Sequence, residues 1–245
     1  MSEFDRRIAD NLAGVQARIA EAAAGSGRTS QAITLVAVTK YVDRRGAEAL
    51  LAAGCRDLGE SRPQELWAKA DAIGRPDLRW HLIGHLQRNK IRRTLPLVAM
   101  IHSVDSQRLL AALNDEAATL GRRSTALLEV NLSGESAKHG LQPREVAPIV
   151  SRAGDFPHVE IRGLMGMAGL ASNAEQTRRE FAALRELRDR LLPPGPADVS
   201  LPELSMGMSR DFEAAIAEGA TIVRVGSALF DGVPFEGTAF ESTAE

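Results

Sequence analysis

The sequence predicts an α/β fold, a single (β/α)8 TIM barrel preceded by an extra N-terminal helix. Three observations point there. Eight short apolar or β-branched runs alternate with helical patterns along the chain. Several of those runs are nearly continuous in apolar residues, as parallel strands covered on both faces are. The 245 residues match the roughly 250 typical of such a barrel. The competing architecture is an open doubly wound sheet, which a glycine-rich turn after the first strand would favour. Lys40-Tyr41-Val42-Asp43 contains no glycine.

The leading segment reads as an amphipathic helix. Phe4, Ile8, Leu12, Val15 and Ile19 fall on one face, and Gly25-Ser26-Gly27 ends it. The first strand runs from Ile33 to Lys40; its helix spans about Asp43 to Ala53 and stops at Gly54. The second strand is Asp57 to Glu60, with a helix opening at Pro63 and stopping near Gly74. Trp80 to Gly84 is the third, followed by a basic helix around Gln87 to Arg93. Met100 to Val104 leads to a helix capped by Asp105 or Ser106 and stopped at Gly121. Ala126 to Asn131 is the fifth strand; a loop to Gly140 and a helix from Pro143 follow. Val159 to Met165 feeds a helix over about Ala174 to Leu192, striped by Phe181, Leu184, Leu187 and Leu191 and closed by Pro193-Pro194-Gly195-Pro196. Glu203 to Met206 precedes Ser209-Arg210-Asp211 and a helix to Gly219; Thr221 to Val225 is the eighth strand. With no repeat and no linker, residues 1–245 are expected to form one domain, with a frayed tail over 236–245.

Composition removes several function classes. A net charge of −2 leaves no electrostatic footprint for nucleic acid. Aromatics at 4% argue against base-stacking platforms. Cys55 is the only cysteine, so no intrachain disulfide can form. The first residues, Met1 to Arg7, lack the apolar core of a signal peptide, and no apolar run is long enough to span a bilayer. A cytoplasmic protein without nucleic-acid or membrane partners is expected.

In a barrel of this kind the working residues sit at the C-terminal strand ends. Lys40 ends a run of seven uncharged residues. It either reaches solvent with its stem packed or points into the mouth, where partial burial would lower its pKa and free the amine for Schiff-base chemistry. Gly226 and Ser227 follow the eighth strand, and Ser205 to Ser209 follow the seventh. Loops after those two strands commonly bind phosphate through backbone N–H groups, with Gly226 letting the backbone approach closely. The bland alternative is that Gly226 only turns the chain and Ser209 only caps the next helix. Arg224, between Val223 and Val225, needs a partner if it points inward: a ring nitrogen of a ligand, or a structural ion pair with Glu129. Asn131 ends the fifth strand.

Other candidates carry less. His81 and His85 would stand ~13 Å apart on a strand, too far to share a metal, and no metal site is expected. No nucleophile elbow, P-loop or Cys-x-x-Cys is present. Lys90, Arg92 and Arg93 read as a solvated helix face, and Cys55 as a small buried residue.

Taken together, these segments resemble the pyridoxal phosphate homeostasis proteins. The resemblance rests on Leu35 to Lys40, Leu58 to Glu65, Trp80 to Lys90, Val130-Asn131 through Lys138-His139-Gly140, Arg162 to Met167, Leu204 to Ser209 and Arg224 to Ser227, in that order. It implies a barrel like that of the alanine racemase N-terminal domain and pyridoxal phosphate held on Lys40. It further implies Ser209, Gly226 and Ser227 at the phosphate, Ser205 near it, Arg224 at the ring nitrogen and Asn131 lining the pocket. Ser61 stands where the family usually has Asn, and its shorter side chain could loosen one cofactor contact. Ser227 replaces a common Thr and keeps the hydroxyl.

The implied role is that of a carrier that buffers the cofactor or delivers it to apoenzymes, with no catalytic residue of its own. Two enzyme alternatives share the lysine. An amino-acid racemase needs a second base on the opposite cofactor face; Tyr41 is the only tyrosine and, next to Lys40 on a strand, should point the other way. A Schiff-base aldolase acting on a phosphosugar would show no bound chromophore.

Overall fold

Helix α1, Glu3–Gly25, starts with Ser2, whose hydroxyl accepts from the Asp5 amide while the Asp5 carboxylate accepts from the Ser2 amide. Its buried stripe is Phe4, Ile8, Leu12, Val15, Ile19 and Ala23, the face expected from the periodicity. In the computed structural model, which describes residues 1–132, 139–169, 171–191 and 200–233, this helix packs outside a closed barrel.

The barrel alternates strand and helix: β1 Thr34–Val38, α2 Arg44–Ala52, β2 Asp57–Glu60, α3 Pro63–Ile73, β3 Arg79–Leu82, α4 Ile91–Thr94, β4 Val98–Val104, α5 Gln107–Thr119, β5 Ser124–Glu129, α6 Pro143–Val150, β6 Val159–Met165, α7 Ala174–Leu191, β7 Glu203–Ser205, α8 Phe212–Ala217 and β8 Ile222–Val225. The strands pair in parallel in sequence order. β8 returns to β1, with Val36 opposite Arg224 and Ala37 opposite Val225. The core is apolar between strands and helices, with Leu58, Leu82, Ile101, Leu128 and Leu164 fully buried. Cys55 is buried, which pushes its thiol up to about 11 and leaves it a packing residue.

Three expectations need correction. β1 ends at Val38, two residues before Lys40, because the chain turns there: the Thr39 hydroxyl donates to Glu60 and the Val42 amide donates to the Thr39 carbonyl. The basic helix is a 3-10 turn at Arg88–Lys90 running into the single turn of α4. Ser209 does not cap α8; Asp211 stands at that N-cap position, because the Ser209 hydroxyl is engaged elsewhere. Lys138, the Pro193–Pro196 stop and the tail beyond Phe235 lie outside the described residues. No helix among the described residues is long and apolar enough to cross a membrane.

Candidate functional site

The loops after β7 and β8 are locked together. Gly207 has a φ of 91°, and a Cβ there would lie 2.6 Å from the Ala215 Cβ and 2.9 Å from the Phe212 Cα. Only glycine lets the chain turn this tightly over α8. The turn brings the Ser209 hydroxyl to β8, where it accepts from the Gly226 amide at 3.1 Å and the Ala228 amide at 3.4 Å. Two backbone donors at the start of a 3-10 turn, Ser227–Leu229, thus converge on one oxygen, the arrangement that binds anions. Ser209, Ser227 and Ala228 line a cavity of about 430 Å³ shared with Asn11, Arg18 and Arg210. Gly226 is not forced by the chain itself: an added Cβ would meet Val38 at 3.4 Å, an ordinary contact.

Arg224 lies inside the barrel, 4% exposed. It donates to the Ser205 carbonyl at 2.7 Å, the Ser205 hydroxyl at 2.6 Å and the Gly166 carbonyl at 3.1 Å. Burial lowers its pKa to about 10, an effect that Glu129 and Asp211 offset only at a distance. The Glu129 ion pair considered from the sequence is not among the contacts of the described residues; backbone and hydroxyl oxygens take these donors instead.

The contact with Ser205 begins a buried chain across the barrel. The Ser205 hydroxyl lies 2.8 Å from His102 Nδ1, His102 Nε2 lies 2.9 Å from His81 Nδ1, and His81 Nε2 lies 3.0 Å from the Asp57 carboxylate. With both imidazoles neutral, the two ends set the direction of the protons. Arginine only donates and an ionised aspartate only accepts. Ser205, accepting from Arg224, therefore gives its proton to His102 Nδ1. His102 is then protonated at Nε2 and gives to His81 Nδ1, and His81 gives from Nε2 to Asp57. Burial, then His81 and Arg224, hold the His102 pKa well below 6.5, so its ring is neutral. Burial alone would raise Asp57, but hydrogen bonds from His81 and Arg79 outweigh it and hold the carboxyl below its ordinary value.

Lys40 is exposed, its amine 4.5 Å from the centre of the Tyr41 ring. The expectation that Tyr41 points away from Lys40 fails because the strand has already ended and its alternation no longer applies. Ser61 is half-buried after β2, and Gly84 packs so close that a Cβ there would lie 2.3 Å from the Ser61 carbonyl oxygen. Asn131 is buried, its amide donating to the Leu141 carbonyl at 2.9 Å. Three adjoining strands, β7, β8 and β1, thus carry Ser205, Ser209, Arg224, Gly226, Ser227 and Lys40, with direct bonds joining Ser205 to Arg224 and Ser209 to Gly226. Asn131 follows β5 and is separated from that group by β6.

Residues 11–234 match the family model of the alanine racemase N-terminal domain. The pyridoxal phosphate homeostasis protein of Aquifex aeolicus is 38% identical over 221 residues, covering 90% of this chain and 96% of that one. The chain belongs to the pyridoxal phosphate homeostasis protein family. PipY of Synechococcus elongatus superposes with a TM-score of 0.83 at 38% identity without pyridoxal phosphate, and 0.80 at 36% identity with it bound. In each case 91% of this chain and 99% of PipY are covered. Alanine racemase of Corynebacterium glutamicum, at 18% identity and a TM-score of 0.70, shares the fold, and this chain covers 63% of it.

Against that family background, the sequence reading missed His102 and Asp57, and considered Glu129 only as an ion-pair partner for Arg224. His102 carried a readable signal: a polar residue inside an apolar strand buried on both faces must find a partner. Glu129 ends β5, and burial, then Asp105, push its carboxyl up to about 7.

Proposed function

We propose that this chain binds pyridoxal phosphate, covalently through Lys40, and serves intracellular cofactor homeostasis by holding it for release to apoenzymes. The observation that carries the reading is the convergence of the Gly226 and Ala228 amides on one oxygen, beside a buried arginine and next to the strand that leads to Lys40. The donor set fits the group: the Ser209 and Ser227 hydroxyls for a phosphate, with the Gly226 and Ala228 amides fixing Ser209 in place, Arg224 for a ring nitrogen, and a primary amine for an aldehyde. When bound, the cofactor supplies an aldehyde that condenses with an amine, with loss of water. Lys40 offers that amine from an exposed turn. Arg224, kept charged and fixed by Ser205, donates toward a ring nitrogen without protonating it, which weakens electron withdrawal and suits a carrier better than an enzyme. Asn131 lines the far side of the pocket, and Ser205 acts through Arg224.

Tyr41 lies beside Lys40, so the two cannot flank a substrate carbon from opposite faces as two-base racemisation requires. The test is the visible spectrum of protein purified with added pyridoxal phosphate, before and after borohydride, with peptide mapping of the reduced adduct. A band that borohydride converts into a mass increment on Lys40, and that Lys40→Ala lacks, is expected. An unchanged band in Lys40→Ala, or no band in the wild type, would sink the reading.

A further inference from the structure

We propose that His85, Asp105 and His139 form a site for one divalent transition-metal ion of the zinc class at the mouth of the barrel. Their ligand atoms all lie within 4.8 Å of one another. Asp105 Oδ2 is 3.0 Å from His85 Nδ1 and 3.9 Å from His139 Nδ1. Donors bound tetrahedrally at about 2.0–2.1 Å from zinc stand roughly 3.3 Å apart, so the spacing brackets what the ion needs. His85 and Asp105 directly follow β3 and β4, and His139 stands two residues before Leu141, which is bridged back to Val130 at the end of β5.

The Asp105 carboxylate is oriented from behind. The Ser106 hydroxyl donates to its Oδ1 at 3.1 Å and leaves Oδ2 to the histidines, the kind of outer contact that aims a ligating carboxylate. The two rings stack at 4.8 Å with 21° between their planes, and each brings its Nδ1 toward the same carboxylate oxygen. Half the His85 side chain and two-thirds of the His139 side chain are open to solvent, so an ion can enter and its fourth position stays open. Two nitrogens and one carboxylate oxygen favour zinc, cobalt or nickel over magnesium or calcium.

The test is calorimetric titration of the chelator-washed full chain with Zn²⁺, run on the wild type, His85→Ala, His139→Ala, Asp105→Asn, the control His158→Ala and Lys40→Ala. One equivalent is expected, with affinity reduced at least about tenfold in each of the first three variants and unchanged in the last two. Equal thermal melts without metal establish that the exposed histidine variants are folded. Absence of binding overturns the proposal, as does binding that survives both His85→Ala and His139→Ala. Loss in Lys40→Ala also overturns it, because the ion would then be held at the cofactor lysine and not by this cluster.

Discussion

Ser209 does two things with one oxygen: it holds two backbone amides in a converging pair, and it keeps the loops after β7 and β8 in register. Removing the hydroxyl leaves the amides where water can reach them, so the fold should lose only about 1 kcal/mol. The cofactor should lose more. Ser209→Ala is expected to weaken pyridoxal phosphate retention about 5- to 30-fold, equivalent to 1–2 kcal/mol, with Ser209→Thr largely restoring it. Equilibrium dialysis of the three proteins measures this, and unchanged retention in the alanine variant would remove Ser209 from the phosphate site. The placement of Ser209, Gly226 and Lys40 just beyond strand ends was legible because a barrel's chemistry gathers at that face. His102 was not collected as a candidate because its partners are distant in the chain: His81 is 21 residues away and Ser205 is 103. No local pattern encodes such a pairing.

At the scale of elements, local chemistry was a good guide wherever a boundary is set by its own residues. Asp43 caps α2, Pro63 opens α3, and Gly74 closes α3 in the left-handed conformation at φ 58°. Where tertiary contacts decide, the reading slipped, as at the end of β1. That end is governed by a buried cluster between β2 and α3. Lys69 donates to Glu60 at 2.5 Å and to the Thr39 carbonyl at 2.7 Å, while Thr39 donates to the same carboxylate oxygen. The other Glu60 oxygen has no hydrogen-bond partner, so the lysine charge is what makes this carboxylate tolerable inside. Lys69→Met should therefore cost about 3–5 kcal/mol, because it strands a buried charge. It should also loosen the turn that presents Lys40, since the Thr39 carbonyl loses one of its two donors and keeps only the Val42 amide. Urea unfolding checks the first effect; a loss below about 1 kcal/mol would mean Glu60 finds another partner or takes up a proton.

The closed barrel as a whole is what makes the Arg224–Ser205–His102–His81–Asp57 chain possible, since it draws on β8, β7, β4, β3 and β2 across one interior. Its pH behaviour belongs to that scale. His102 is neutral in the fold, with its pKa held well below 6.5 by burial, whereas the unfolded chain protonates it normally. As pH falls below 6.5 the unfolded state binds a proton that the folded state refuses, and stability declines. Above 6.5 neither state binds it and this contribution is complete. Asp57 has the same sign in a lower window: its depressed pKa adds stability above 3.8 that disappears as the carboxyl protonates at more acid pH. His102→Leu should be less stable than wild type at pH 7 by about 2–5 kcal/mol, because the Ser205 hydroxyl and His81 Nδ1 both lose a buried partner. It should nevertheless show a shallower fall in stability between pH 7 and pH 5.5, since the group that refuses the proton is gone. Urea midpoints at those two pH values decide it. Equal slopes in variant and wild type would mean that another group governs the acid limb, and that the barrel admits a proton on His102 without opening.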